Sequence, residues 1–192
     1  MGKIITMRPF YKTFYYSALL FAFTLPLSRA AISFFIIWFV ILFIARRDYS
    51  GAWEKIKSNR VFHAMGAFIG ILALSFLWSE ETSEALNQIR LYGYWIIIPI
   101  LALYLKKEWL PNIITAFLGG MFVSEVLAYG IYFEWWSIND RSSDYPSPFM
   151  FHIHYSIFLA FTAIILLSRI LSNRYTWYAK APMVIFFLTS SG

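Results

Sequence analysis

The stretch Glu134–Phe158, EWWSINDRSSDYPSPFMFHIHYSIF, joins a polar loop punctuated by prolines to an apolar run that carries two histidines. One apolar segment, Ile113–Phe133, comes before the loop, and another, Phe149–Leu171, begins inside the quoted stretch. Each segment has about the 20 residues that an α-helix needs to cross the hydrocarbon core of a bilayer. The sequence therefore predicts an exposed loop that joins two transmembrane helices at one membrane face.

The composition of the whole chain indicates a membrane protein. Of its 192 residues, 60% are hydrophobic and 14% are charged, which is more apolar than a soluble domain of this length. The net charge of +6 comes from basic residues between apolar segments, so we expect membrane lipids as partners and no nucleic acid. The absence of cysteine excludes disulfides, thiol nucleophiles and thiolate metal sites.

Seven apolar segments follow one another along the chain. Their continuous apolar character predicts helices, because lipid leaves backbone polar groups without partners outside helices and closed barrels. The predicted fold class is all-α, a polytopic transmembrane helical bundle of about six complete spans plus the start of a seventh. The segments are Phe10–Leu27, Ala30–Ala45, Val61–Trp78, Leu91–Leu105, Ile113–Phe133, Phe149–Leu171 and Ala181–Thr189.

The first two segments are short and are separated only by Ser28 and Arg29. They predict either a tight transmembrane hairpin or a re-entrant one, and both return the chain to the side on which it began. The last segment is shorter still, since nine helical residues rise only about 13–14 Å, less than half of a hydrocarbon core. We therefore expect residues 1–192 to form a single transmembrane domain that is the N-terminal fragment of a larger membrane domain.

The basic residues predict the orientation. If the segments alternate in direction, one set of loops holds thirteen of the sixteen lysines and arginines, and the opposite set holds only Arg29, Arg90 and Arg141. The positive-inside rule then places the N-terminus in the cytoplasm. Six tryptophans lie near predicted span ends, where indole rings favour the membrane interface. They are Trp78, Trp95, Trp109, Trp135, Trp136 and Trp177.

Glu125 is the ionisable residue that lies clearly inside a predicted span. Such residues are costly within a bilayer and are therefore candidate functional sites. Glu125 is either a proton or cation site, or the partner of an arginine, or a protonated carboxyl that hydrogen-bonds within the bundle.

Arg29 and Arg90 are basic residues on the face that otherwise carries more acidic residues. Guanidinium groups bind phosphate in a bidentate manner, so both residues are candidates to hold a lipid pyrophosphate. Alternatively, they extend to the headgroups or pair with nearby glutamates.

His152 and His154 lie two residues apart and would point about 200° from each other on a helix, so we expect no shared metal site. If Pro146 and Pro148 keep the approach extended, His152 still lies in the loop and His154 begins the helix. A histidine at this position acts as a general base on a hydroxyl or orients a phosphate, or it is a polar residue at the membrane boundary.

Five short motifs point to one family. They are LPLSR (Leu25–Arg29), LSFLWSEE (Leu74–Glu81), RLYGYWIIIPIL (Arg90–Leu101), PFMFHIHYSIFLAF (Pro148–Phe161) and FFLTSSG (Phe186–Gly192). Together they resemble the N-terminal part of the O-antigen ligase and O-antigen polymerase superfamily of bacterial envelope glycosyltransferases. The last motif resembles the start of a glycine/serine-arginine motif whose arginine would follow Gly192.

The resemblance implies a protein of roughly a dozen helices with a large periplasmic loop in its second half. It also implies transfer of a glycan from undecaprenyl pyrophosphate without a metal or nucleotide cofactor. In that family the key arginines and histidine lie in or near the later loop, so the catalytic residues are expected beyond Gly192. Residues 1–192 alone are expected to be inactive.

The leading hypothesis is an O-antigen ligase-like, metal-independent glycosyltransferase of the bacterial inner (cytoplasmic) membrane. It would move glycan from undecaprenyl pyrophosphate to lipid A-core in lipopolysaccharide biosynthesis. Arg29, Arg90 and His152 are its candidate substrate-binding residues, and His154 is a weak catalytic candidate. The alternatives are a polymerase of the same superfamily, a proton-coupled transporter of small solutes or lipids that uses Glu125, and a non-catalytic helical subunit.

Overall fold

A computed structural model of the chain describes residues 9–46, 53–54, 56–75, 92, 94–136, 148–149, 152–172 and 183–188. These residues are mostly helical and contain no strand, which confirms the all-α class for the part of the chain that is described. The helices are α1 (Pro9–Thr24), α2 (Arg29–Arg46), α3 (Arg60–Ser75), α4 (Ile97–Tyr104), α5 (Leu110–Tyr132) and α6 (His152–Leu171). Short 3₁₀ turns, Tyr94–Ile96 and Lys107–Trp109, precede α4 and α5.

Three stretches of the described residues are long and apolar enough to cross a membrane. They are Arg29–Arg46, Lys107–Tyr132 and Ile153–Leu171, with mean hydropathies of 2.0, 1.6 and 1.8. Arg60–Ser75 and Tyr94–Tyr104 are apolar but shorter. By length and composition, three helices could therefore span a membrane, while the six complete spans stay a prediction.

The chain divides into two compact units, and both α1 and α2 contribute residues to each of them. Unit 1 consists of Met1–Tyr15 and Phe34–Lys107, and unit 2 consists of Tyr16–Ser33 and Glu108–Gly192. These units describe how residues pack against one another. They do not test the prediction that the chain forms a single transmembrane domain.

Aromatic side chains form the core of unit 1. The rings of Phe14 and Phe39 are fully buried, with their centroids 5.1 Å apart, and the ring of Tyr104 lies 5.6 Å from that of Phe14. The guanidinium of Arg46 lies 4.6 Å from the Tyr104 ring centroid and donates a 3.1 Å hydrogen bond to the Tyr11 hydroxyl. Aromatic faces thus hold the charged end of α2.

An apolar cavity of about 380 Å³ lies in unit 1 beside α3. Phe68 of α3 stacks on Trp95 with the ring centroids 5.4 Å apart, and Tyr92 meets both rings edge to face. No residue of α3 is buried. Its apolar surface is therefore available to lipid or to other parts of the protein.

Unit 2 is built on the packing of α5 against α6. Phe117 of α5 contacts Phe158 and Phe161 of α6, with centroids 5.9 Å apart in both pairs. The buried core contains residues of both helices together with one residue of α1. These residues are Ala22, Phe117, Leu118, Met121, Ala128, Tyr155 and Leu166.

The tip of the α1–α2 hairpin packs against α5 within unit 2. The side chain of Pro26 is fully buried, and the Ser28 hydroxyl caps α2 by accepting a 3.2 Å hydrogen bond from the Ala31 N–H. A Cβ built on Gly120 would overlap the carbonyl oxygen of Phe23, so the hairpin requires glycine at this position of α5. The tip thus contacts α5 near the middle of its length, not at either end.

Candidate functional site

The C-terminal end of α5 closes in a Schellman motif. The Trp135 N–H bonds the Gly130 carbonyl at 2.9 Å, and the Glu134 N–H bonds the Ile131 carbonyl at 3.0 Å. Glu134 occupies the left-handed position with φ of 59°, where glycine is more usual. The motif turns the chain sharply, so that the indole of Trp136 lies over Gly130 and donates to the Leu127 carbonyl at 3.3 Å.

An arginine clasp shows that α5 and α6 run antiparallel. Arg169, in the last turn of α6, donates a 3.0 Å hydrogen bond to the Thr115 hydroxyl and a 3.4 Å one to the Pro111 carbonyl. Both acceptors lie in the first turns of α5. The first turn of α6 therefore lies alongside the C-terminal half of α5.

At that level, three polar side chains meet between the two helices. Ser124 and Glu125 of α5 are 0% and 5% exposed, and Tyr155 of α6 is 8% exposed. Both Ser124 and the charge of Glu125 lie close enough to the Tyr155 hydroxyl to interact with it. We call Ser124, Glu125 and Tyr155 the oxygen cluster, because each supplies a side-chain oxygen and none supplies nitrogen or sulfur.

The hydroxyls of the oxygen cluster are incompletely satisfied. Within the described residues, Ser124 Oγ and Tyr155 Oη are buried and make no hydrogen bond of good geometry. Buried polar groups normally have a partner, and a buried hydroxyl without one costs about 1–3 kcal/mol. The Ser124 and Tyr155 hydroxyls lie within reach of each other, so a small rotation would let one donate to the other.

A third buried hydroxyl lies farther along α6. Thr162 is 0% exposed, and its Oγ1 makes no hydrogen bond within the described residues. Tyr155, Thr162 and Arg169 are spaced by seven residues, so they share the face of α6 that meets α5. Seven helical residues rise about 10 Å, and this separates Thr162 from the oxygen cluster.

The structure describes the side chains of three predicted site residues, Glu125, Arg29 and His154, and of these only Glu125 is buried. Glu125 is buried, as a residue within a span should be. Arg29 is the first residue of α2 and is exposed, and His154 is exposed in the first turn of α6. Because α6 begins at His152, the interpretation of His152 as a loop residue is wrong. Arg90 lies outside the described residues, as does the side chain of His152.

The expectation of no shared histidine metal site concerns residues that the structure describes only in part. Among the described residues, no group of three or more histidine, cysteine or acidic side chains is placed to hold a metal ion. The oxygen cluster contains one acidic side chain, Glu125, and therefore does not count as such a group.

Sequence reasoning found Glu125 but missed its neighbours. Ser124 precedes Glu125 directly, yet serine is common in transmembrane helices and carries no distinct signal. The seven-residue spacing of Tyr155, Thr162 and Arg169 is visible in the sequence and would have indicated a polar face on α6. That face meets Glu125 only because α5 and α6 are antiparallel in this particular register.

Comparison with known proteins found no matching family model, no matching curated protein and no matching solved structure. The resemblance to the O-antigen ligase superfamily therefore stays a prediction from the five sequence motifs.

Proposed function

We propose that the chain serves a glycosyltransferase of the O-antigen ligase type. In this proposal it forms a polytopic helical bundle in the bacterial inner membrane, with its N-terminus in the cytoplasm. The transferred glycan is carried on undecaprenyl pyrophosphate, and the acceptor is lipid A-core, as in lipopolysaccharide biosynthesis. The motif resemblance supports the choice of substrate, and the position of His154 in α6 supports the choice of site.

The position of His154 is the observation that supports the proposal. His154 is exposed in the first turn of α6, near the end of α5 that carries Trp135, whose side chain is 72% exposed. Exposed indole rings favour the membrane interface, so the same end of the helix pair lies at headgroup level. The pyrophosphate of a lipid-linked glycan lies at that level too, within reach of the imidazole.

The chemistry assigned to this site is displacement at a sugar carbon. An acceptor hydroxyl forms a bond to the anomeric carbon, the bond from that carbon to the pyrophosphate oxygen breaks, and the lipid pyrophosphate leaves with the electron pair. His154 would accept the proton of the attacking hydroxyl. Arg29 and Arg90 would bind the pyrophosphate, which gains negative charge as it leaves.

The test replaces His154 in the intact gene and measures glycan attached to lipid A-core. If His154 acts as the base, His154→Ala should lower the rate of transfer by about 10²-fold or more. Ser156→Ala, an exposed substitution two residues away, is the matched control and should leave the rate unchanged. Equal rates for the two variants would remove His154 from the site, and absence of any transfer by the wild-type protein would refute the proposal.

The alternative of a proton-coupled transporter is favoured by one observation, the burial of Glu125 between α5 and α6. An ionisable group within a membrane is a common coupling site. In proteoliposomes, Glu125→Gln should abolish proton-driven uptake of solute, whereas Glu108→Gln, an exposed change just before α5, should not. Uptake that survives Glu125→Gln would exclude this mechanism.

A further inference from the structure

The apolar cavity of unit 1 follows one face of α3 for most of the length of the helix. Six residues of α3 at helical spacing line it: Phe62, Met65, Gly66, Ile69, Leu72 and Ala73. The first and last of these are eleven residues apart, about 16 Å along a helix. The opposite wall is formed by Tyr92, Trp95, Ile96 and Pro99. The cavity is therefore elongated in the direction of the helix axis.

The size and lining of the cavity suit a hydrocarbon chain. Its volume is about 380 Å³, and an apolar cavity of about 150 Å³ already stays dry and binds a benzene molecule. The hydrocarbon core of a bilayer is about 30 Å thick, so the acyl chains of one leaflet extend over about 15 Å. That length matches the lined face of α3, and one acyl chain of one leaflet is therefore the guest that fits.

Gly66 provides part of the space. A Cβ built at this position meets no atom of the described residues within 4 Å, and the residue lines the cavity. Glycine within a helix costs up to about 1 kcal/mol relative to alanine. Gly70, one turn farther along α3, is equally open but does not line the cavity. The two glycines therefore allow the cavity to be filled separately from the rest of the helix surface.

Two exposed basic side chains flank the end of the cavity that lies at the start of α3. Lys57 follows the lining residue Ile56, and Arg60 is the first residue of α3. Hydrogen bonds hold this approach against the helix. The Asn59 N–H donates to the Ile56 carbonyl at 3.2 Å, and the His63 ring donates from Nε2 to the Lys57 carbonyl at 2.8 Å.

The basic side chains lie where a lipid headgroup would be. The Lys57 ammonium is 5.2 Å from the ring centroid of Trp53, which is exposed, and indole rings favour the level of the headgroups. Residues 46–60 contain the basic residues Arg46, Arg47, Lys55, Lys57 and Arg60 and the acidic residues Asp48 and Glu54. This excess of positive charge beside an apolar cavity favours an anionic lipid over a zwitterionic one.

We propose that the cavity beside α3 binds one acyl chain of an anionic phospholipid, whose phosphate is held by Lys57 and Arg60. The site goes beyond both proposed functions, because this lipid stays bound and is neither the glycan carrier nor a transported solute. In the proposed topology, Lys57 and Arg60 lie on the membrane face opposite to His154.

The first experiment measures equilibrium binding of ¹⁴C-labelled dioleoyl phosphatidylglycerol to the purified intact protein in detergent. We expect saturable binding by the wild-type protein, and at least about tenfold weaker binding of dioleoyl phosphatidylcholine, whose headgroup has no net charge. Lys57→Gln and Arg60→Gln should each weaken the binding of phosphatidylglycerol about fivefold. Lys12→Gln removes an exposed charge from α1 and is the matched control, which should leave the affinity unchanged.

The second experiment compares Gly66→Leu with Gly70→Leu. The leucine side chain introduced by Gly66→Leu should occupy the cavity and weaken the binding of phosphatidylglycerol at least about tenfold. Gly70→Leu adds the same side chain outside the cavity and should leave the affinity unchanged. Both substitutions raise helix propensity, so α3 should form in each variant. In the wild-type protein, saturating phosphatidylglycerol should raise the thermal midpoint by several degrees relative to phosphatidylcholine, a measurement that needs no variant.

Three results would overturn the proposal. Equal affinities of the wild-type protein for the two lipids would remove the headgroup contacts with Lys57 and Arg60. Equal affinities of Gly66→Leu and Gly70→Leu would mean that the lipid binds elsewhere or that another part of the chain fills the cavity. Stronger competition by unlabelled undecaprenyl phosphate than by unlabelled phosphatidylglycerol would assign the site to the glycan carrier. Failure of glycan transfer or of solute uptake would change none of these measurements.

Discussion

Gly120 is the residue at which the hairpin and α5 come closest. A Cβ at this position would overlap the backbone carbonyl of Phe23, whereas a Cβ at the adjacent Gly119 would meet only the Phe23 ring at 3.7 Å, an ordinary contact. A backbone carbonyl moves only with its helix, so Gly120→Ala should force the hairpin away from α5.

We expect Gly120→Ala to destabilise the protein by about 2–3 kcal/mol and Gly119→Ala to be close to neutral. For a chain of this length, the first change lowers the thermal midpoint in detergent by roughly 4–12 °C. Thermal unfolding of the two variants side by side provides the measurement. Equal midpoints would mean that the hairpin does not pack on Gly120.

Gly130 makes a different kind of contact, because the atoms above it belong to a side chain. A Cβ there would overlap the indole of Trp136, which is partly exposed and can move away. Gly130→Ala should therefore lower the free energy of unfolding by only about 1 kcal/mol. This is the contribution of the indole's packing and of its hydrogen bond to the Leu127 carbonyl. The displaced indole should also change its tryptophan fluorescence.

The control for Gly130→Ala is Gly66→Ala in α3, where a Cβ meets nothing within 4 Å. Alanine loses less conformational freedom than glycine on folding, so this change should be neutral or stabilising by up to about 1 kcal/mol. If Gly130→Ala and Gly66→Ala shift the thermal midpoint in the same direction, the contact with Trp136 contributes nothing.

At the residue scale, the sequence could identify a buried group by its charge but not by its neighbours. Glu125 is conspicuous because a carboxyl is rare within an apolar run. Tyr155 lies within the predicted apolar segment Phe149–Leu171 and does not stand out there, because tyrosine is common near span ends. Its role depends on which residue of α5 it faces, and that is a property of packing.

The arginine clasp holds the other end of the α5–α6 pair. Arg169 Nη2 donates to both the Thr115 hydroxyl and the Pro111 carbonyl, and therefore joins the end of one helix to the start of the other. We expect Arg169→Ala to destabilise the protein by about 1–3 kcal/mol. Arg169→Lys should recover part of this loss, because it keeps the charge but not the planar guanidinium.

A double-mutant cycle isolates the contact between the two side chains. If Arg169 and Thr115 interact as the 3.0 Å distance indicates, Arg169→Ala and Thr115→Val together should cost about 1 kcal/mol less than the sum of the single changes. Thermal or denaturant unfolding of the four proteins provides the measurement. Additive effects would show that the clasp is not formed in solution.

At the element scale, hydropathy located the helices better than it located their ends. The predicted segment Ile113–Phe133 begins three residues after α5 does, because Pro111 in the first turn is compatible with a helix start. Within the predicted segment Leu91–Leu105, the described residues include the eight-residue α4, which follows a 3₁₀ turn. By contrast, the predicted segment Phe149–Leu171 and α6 end at the same residue, Leu171.

At the scale of the whole molecule, the contact at Gly120 indicates how deeply the α1–α2 hairpin enters the membrane. Gly120 follows the first residue of α5 by ten positions, about 15 Å along the helix, and precedes the last by twelve, about 18 Å. If α5 crosses the bilayer, the hairpin tip that touches Gly120 lies near mid-depth. Of the two alternatives that the sequence left open, this contact favours the re-entrant hairpin.

Cysteine labelling tests the depth, and the chain has no native cysteine to remove. Ala30→Cys places a thiol on an exposed position at the tip, and Trp135→Cys places one beyond the C-terminal end of α5. With the proposed orientation, a membrane-impermeant maleimide added outside should label Trp135→Cys rapidly. It should label Ala30→Cys at least about tenfold more slowly, because a thiol in an apolar environment seldom ionises.

Lys107→Cys, at the opposite end of α5, is the control for sidedness and should react only after the membrane is permeabilised. A hairpin that spans the bilayer completely gives a different result, since Ala30→Cys would then react from outside as fast as Trp135→Cys. The rates therefore distinguish the two topologies directly. A slow reaction would also have a consequence for Arg29, which is one residue from the labelled position. A charged side chain at mid-depth requires water or a partner. Arg29 would then reach a lipid pyrophosphate only through an aqueous opening toward the outer face.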